Sequence, residues 1–160
     1  AKSALASMGL VSNVLFSAEV GGYFDKDVIL KPLLHMWSLS LEEQFYFFWP
    51  VVVMLTFAWA RGSESLSSFH IKFGYVVFLL GALSFALAVQ MSILSPTLAW
   101  YLLPTRVYEF ALGSIALMIG NQIPGAPWIH ETLAAFSLIC IILSYFVLND
   151  EMRFPGWRSL

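Results

Sequence analysis

Between His35 and Gln44 the sequence sets His35, Trp37, Ser38, Ser40, Glu42, Glu43 and Gln44, seven hydrogen-bonding side chains within ten residues. From Phe45 to Ala60 the chain then turns apolar, so a dense polar cluster sits at the mouth of a hydrophobic helix. A second set lies farther on. Arg106 and Glu109 are the only charges well inside their apolar segment. Ionisable side chains at membrane depth are costly and as a rule functional. The competing reading is a mutual i,i+3 ion pair that neutralises both charges and anchors the helix end.

Locally, Ser40 followed three residues later by Glu43 reads as a capping box ahead of an apolar run. It predicts a helix over Leu41 to Ala60, about 20 residues and roughly 30 Å long, the thickness of a bilayer core. Glu42 and Glu43 then fall in its first turn, where the helix dipole favours carboxylates. Glu43 is either the reciprocal cap or a site residue. Glu42 has no capping duty, which makes it the better candidate for chemistry.

The run His-x-Trp-Ser-Leu-Ser-x-Glu-Glu-Gln-Phe-Tyr-x-x-Trp-Pro, His35 to Pro50, resembles the signature of the integral-membrane acyltransferase 3 family. The Gly-Tyr-Phe-Asp turn at 22–25 ahead of Pro-Leu-Leu-His resembles it too, as does Arg106-x-x-Glu109-Phe-x-x-Gly113. The resemblance implies a membrane enzyme that moves acyl groups, often acetyl, from acyl-coenzyme A. Its acceptors would be sugar hydroxyls of envelope polysaccharide, lipopolysaccharide or peptidoglycan. Glu42 is favoured over Glu43 because relatives vary the second acidic position more. The implied catalytic set is Glu42, Arg106 and Glu109, with His35, Trp37, Ser38, Ser40, Glu43, Gln44 and Tyr46 binding substrate or shaping the site. In the family, the histidine taken as the base follows an arginine by about eleven positions. No such pair occurs here, since Arg61 is followed at that distance by Lys72. The expected base is therefore absent from these residues, and His35 is read as orienting a loop or bonding the Glu42–Gln44 turn. Gly113 is read as allowing close helix packing.

The elements that must position these groups follow from composition. The 160 residues are 59% hydrophobic and 11% charged, against about 25% charge in a soluble domain. The expected fold is all-α, a polytopic transmembrane helical bundle, with residues 1–160 forming one membrane-domain fragment of a larger acyltransferase. Ala1 to Phe16 is expected to be a partial or complete helix. Four spans follow: Leu41–Ala60, Phe73–Leu94, Thr105–Gly120 and Thr132–Leu148. Arg61 to Lys72 and Asn121 to His130 read as polar loops, Ser95-Pro96 as a break, and Trp100-Tyr101 as an interfacial aromatic patch. Four alternating spans bring the His35–Gln44 cluster, Pro104–Arg106 and Arg153–Arg158 to one face. The balance of Lys and Arg leaves the orientation open. The family's preceding helices put that face outside the cytoplasm of a bacterial inner membrane.

The net charge of −2 excludes a large electrostatic partner such as nucleic acid. The three histidines lie at separate junctions without ligand spacing, so no metal is expected, and the single cysteine, Cys140, reads as a small buried hydrophobe. No cofactor is expected beyond acyl-CoA as donor. The expected partners are the lipid bilayer, acyl-CoA, a glycan acceptor and the enzyme's remaining helices, without which the fragment is expected to be inactive. A transporter or flippase for an envelope glycan or lipid would also use intramembrane Arg and Glu, but no repeat relates the two halves. A structural anchor would need no polar cluster.

Overall fold

In the computed structural model, residues 2–19, 33–60, 66–120 and 127–147 are described, and among them all regular structure is helical. The helices are α1 (Lys2–Met8), α2 (Ser12–Glu19), α3 (Met36–Ala60), α4 (Leu66–Leu94), α5 (Pro96–Tyr101), a 3-10 turn (Leu103–Thr105), α6 (Val107–Gly120) and α7 (Pro127–Val147). The Gly-Tyr-Phe-Asp turn and the Arg153–Arg158 segment lie outside the described residues.

The N-terminal segment is two helices rather than one. Leu10 takes a φ of 56°, a left-handed conformation that stops α1 and redirects the chain into α2. Helix α3 starts at Met36, five residues before the expected Leu41, because a turn at 33–35 already supplies its first carbonyls, Leu33 and Leu34. Ser40 is therefore interior, so it cannot be an N-cap, and neither Glu42 nor Glu43 is in the first turn. The capping reading fails on that geometry. Pro50 lies inside α3, which continues through it without the hydrogen bond that a backbone N–H there would make. Helix α4 begins at Leu66, so much of the expected 61–72 loop is helix, and α7 likewise begins at Pro127.

By length and composition, one helix among the described residues, Phe69–Leu94, is able to cross a membrane alone. Val107–Gly120 and Glu131–Phe146 are apolar but shorter. At 14 residues α6 extends roughly 21 Å. Its packing explains that shortness. Tyr108 N donates to Ser84 Oγ at 3.0 Å, a Cβ added at Gly81 would meet the Ala111 Cβ at 3.0 Å, and one at Gly74 would meet the Met118 Cε at 3.2 Å. These pairs run in opposite directions, so α6 lies antiparallel along α4. Ser84 precedes the last residue of α4 by ten positions, roughly 15 Å of helix. The chain therefore folds back through α5 and the 3-10 turn before α6 begins, and α6 starts well inside the bundle. Gly113, by contrast, faces open space, so the close approach belongs to Gly81 and Gly74.

Candidate functional site

The fold-back carries Arg106 to the side of α3. Phe45 stacks on Phe110 at 4.1 Å and 15°, which joins α3 to α6 at that point. One turn before that stack, Trp37, Ser38, Leu41 and Glu42 of α3 face Arg106, Glu109 and Phe110 across a cavity of about 130 Å³. Glu42 thus lines one space with Arg106 and Glu109, although more than sixty residues separate it from them in sequence.

Arg106 is the most constrained group there. Its Nη1 donates to Glu109 Oε1 at 2.6 Å and its Nε to the Trp100 carbonyl at 3.3 Å. Its guanidinium carbon lies 4.6 Å from the Trp100 ring centroid and 5.9 Å from that of Trp37, an aromatic setting that stabilises a cation. Tyr108 Oη donates to the same Glu109 oxygen at 3.3 Å. Arg106 is 14% exposed and Glu109 38%, so the i,i+3 pair expected from the spacing forms at the cavity wall. Two N–H groups of the guanidinium are engaged in these bonds, and three of its five donors remain for a ligand. The Glu42 carboxylate is exposed and has no hydrogen bond or ion pair among the described residues. Its neighbour Glu43 does not line the cavity.

Trp100 and Tyr101, expected as an interfacial aromatic patch, pack behind this cavity, Trp100 under the Arg106 guanidinium and Tyr101 against Trp37. Tyr101 is fully buried with Phe16, against Leu34, Trp37 and Trp100. Trp37 meets Tyr101 edge-on at 5.1 Å. Other expected site residues are placed elsewhere. Tyr46 is 60% exposed and lies outside the cavity. His35 is exposed in the turn before α3, where its carbonyl accepts from Ser38 Oγ at 3.1 Å. Gln44 donates to Leu10 O and Asn13 Oδ1, not to His35. Ser40 is buried and shares a 2.6 Å hydrogen bond with Ser12, whose hydroxyl also lies 3.0 Å from the Met36 carbonyl. Cys140 is exposed on α7 rather than buried.

Ser12 and Asn13 were not legible as partners of this region. Asn13 Nδ2 donates to the Tyr101 carbonyl at 3.0 Å, and Asn13 is 1% exposed. The available signal was an adjacent hydroxyl and amide inside a moderately apolar segment, where buried polar groups need partners.

No family model matches the chain, and no solved structure matches it. It is 27% identical over 154 residues to a Staphylococcus aureus (strain COL) protein named a putative O-acetyltransferase, across 92% of this chain and 24% of that one. It is 34% identical over 115 residues to the peptidoglycan O-acetyltransferase OatA of Listeria monocytogenes, across 69% of this chain and 17% of OatA. An uncharacterized Haemophilus influenzae protein is 28% identical over 140 residues, 84% of this chain and 56% of that protein. The chain spans about a quarter of the length of the Staphylococcus relatives it matches. Two of these weak homologues thus carry the names of O-acetyltransferases.

Proposed function

We propose that this chain is part of the membrane domain of an acyltransferase 3-type enzyme. It moves an acyl group, acetyl foremost, from acyl-coenzyme A to a hydroxyl of an envelope saccharide. The observation that carries this reading is the cavity shared by Glu42, Arg106 and Glu109 at the start of two adjacent helices. The relatives named for O-acetyl transfer, one of them for peptidoglycan, support the same class of chemistry. The large apolar side chains left exposed along α3, α4 and α7 support burial in a membrane. The multi-pass bundle in a bacterial plasma membrane, with the site opening away from the cytoplasm, rests on the family resemblance.

The residues divide the work by their bonding. Arg106, held by Glu109 and the Trp100 carbonyl, turns its remaining N–H donors toward the negative charge that grows on the acyl carbonyl oxygen. Glu42, without a protein partner in the described residues, accepts from the acceptor hydroxyl and orients it, with Ser38 and Trp37 beside it. The acceptor oxygen forms the new C–O bond as the thioester C–S bond breaks, and the hydroxyl proton ends on the departing thiol by way of the base. That base is a histidine from the rest of the enzyme.

The test uses the whole enzyme and radiolabelled acyl-CoA, read as label in envelope glycan. Glu42→Gln and Arg106→Gln each lower transfer by about 100-fold or more at unchanged membrane abundance, as loss of an oriented charged donor or acceptor does. Full transfer by Glu42→Gln would take it out of the site. A transporter would leave the glycan unlabelled in every variant, the wild type included.

A further inference from the structure

Helix α5 is only six residues long, too short to hold itself together, so its place is set by what binds its ends. Its last four carbonyls, Leu98 to Tyr101, have no partner within the helix. Each is taken by a different group. Leu102 N donates to Leu98 O, Arg106 Nε to Trp100 O at 3.3 Å and Asn13 Nδ2 to Tyr101 O at 3.0 Å, while the Thr105 hydroxyl lies 2.8 Å from Ala99 O and 2.7 Å from Leu102 O and shares its proton between them. All but one of these bonds are local in sequence. The exception, from Asn13, reaches across 88 residues from α2.

Asn13 is also tied to the polar helix. Its Oδ1 accepts from Gln44 Nε2 at 2.9 Å, and Gln44 Nε2 donates its other hydrogen to Leu10 O at 2.8 Å. The amide orientations follow from chemistry, because the Tyr101 and Leu10 carbonyls accept only and must face nitrogen. A continuous line of hydrogen bonds and covalent neighbours therefore runs from Gln44, two residues past Glu42, through Asn13 and Tyr101–Trp100 to Arg106 and Glu109. Both walls of the cavity are referenced to one buried amide.

We propose that Asn13 is a positioning residue for Arg106: it fixes the Tyr101–Trp100 corner against α3 and so sets where the guanidinium stands relative to Glu42. This rests on the proposed role of the Glu42–Arg106 cavity. The bond to Tyr101 O is direct, whereas the hydroxyl of the neighbouring Ser12, among the described residues, hydrogen-bonds α3 alone, through Ser40 and Met36. Both residues are fully buried at the same helix contact, so they separate positioning from mere support.

The experiment compares Asn13→Leu, close in size but unable to hydrogen-bond, with Ser12→Ala in the whole enzyme. Phenylglyoxal modification of Arg106, read peptide by peptide by mass spectrometry, should be slow in wild type. It should rise about fivefold in Asn13→Leu, and stay within about twofold of wild type in Ser12→Ala, since only the first removes the donor from the Tyr101 carbonyl and so loosens the corner whose Trp100 carbonyl holds the guanidinium. With acyl-CoA as donor, kcat should fall about tenfold in Asn13→Leu with KM unchanged, as misplacement of a transition-state group does. An unchanged Arg106 modification rate in Asn13→Leu, or an equal rise in both variants, would overturn the positioning role. If instead Arg106 becomes reactive as expected but kcat holds, Asn13 still sets the guanidinium and the proposed function of the cavity is what fails.

Discussion

Helices α6 and α7 are both apolar, yet they behave differently. Helix α6 buries Val107, Tyr108 and Ala111, and Ala111 lies over Gly81 where a side chain would not fit. Residues 131–146 of α7 are exposed throughout. Their serines show why. Ser137 and Ser144 donate back to Leu133 O and Ile141 O of their own helix, which anchors nothing. Ser84, facing α6, donates to Pro104 O at 2.7 Å and accepts from Tyr108 N at 3.0 Å, joining three elements through one hydroxyl. Apolarity makes a helix in either case. A small-residue notch and a polar anchor decide where it docks.

The contrast breaks most sharply at the notch. Gly81→Leu would drive a side chain into Ala111 and force α4 and α6 apart, at a cost of about 3 kcal/mol by overpacking. Thermal unfolding in detergent should show it as a clear loss of stability. The same enlargement on the other helix, Ser137→Leu, should leave unfolding unchanged. Equal effects would mean that the notch is not what seats α6.

This is also where the sequence stops being readable. Helical class, the break at Ser95-Pro96 and the candidacy of Glu42, Arg106 and Glu109 follow from residue types and spacing, which are local properties. The resemblance narrowed the choice between the two adjacent carboxylates. Ser40 was misread because a hydroxyl three residues before a glutamate looks the same whether it caps a helix or bonds Ser12 on another one. Asn13 was missed because its main partner is a backbone carbonyl, and a carbonyl carries no residue identity. Gly113 was read as the close-packing glycine on motif alone, though only neighbouring atoms tell which glycine is crowded. The fold-back that carries Arg106 beside Glu42 depends on tertiary bonds from Ser84 and Asn13, so counting spans could place the motifs on one face but not in one cavity.

The polar anchor gives the next effect. Ser84→Ala removes one acceptor from the Tyr108 N–H and one donor from the Pro104 carbonyl, in a buried setting. Each hydrogen bond contributes about 1 kcal/mol, so losing the two gives an expected loss of about 2 kcal/mol, smaller than at Gly81. Because Pro104 lies in the 3-10 turn that leads to Arg106, transfer activity should fall together with stability. A stability loss with activity untouched would show that the start of α6 is held by the 3-10 turn alone.

The smallest effect is expected on α7, and it tests whether exposure there reflects an absence of packing. Ser137→Ala and Ser144→Ala each remove a hydroxyl that bonds only its own helix backbone. The carbonyls they release keep their regular helical bonds, and such bonds from serine slightly weaken a helix rather than support it. Alanine is also the better helix former by a few tenths of a kcal/mol. The two terms act in the same direction, so each variant should unfold within about 0.5 kcal/mol of the parent, on the stable side. The measurement is unfolding in detergent of single and double variants beside Ser84→Ala. A loss above about 1 kcal/mol in either α7 variant would place that serine in a docked interface and erase the distinction between the two helices.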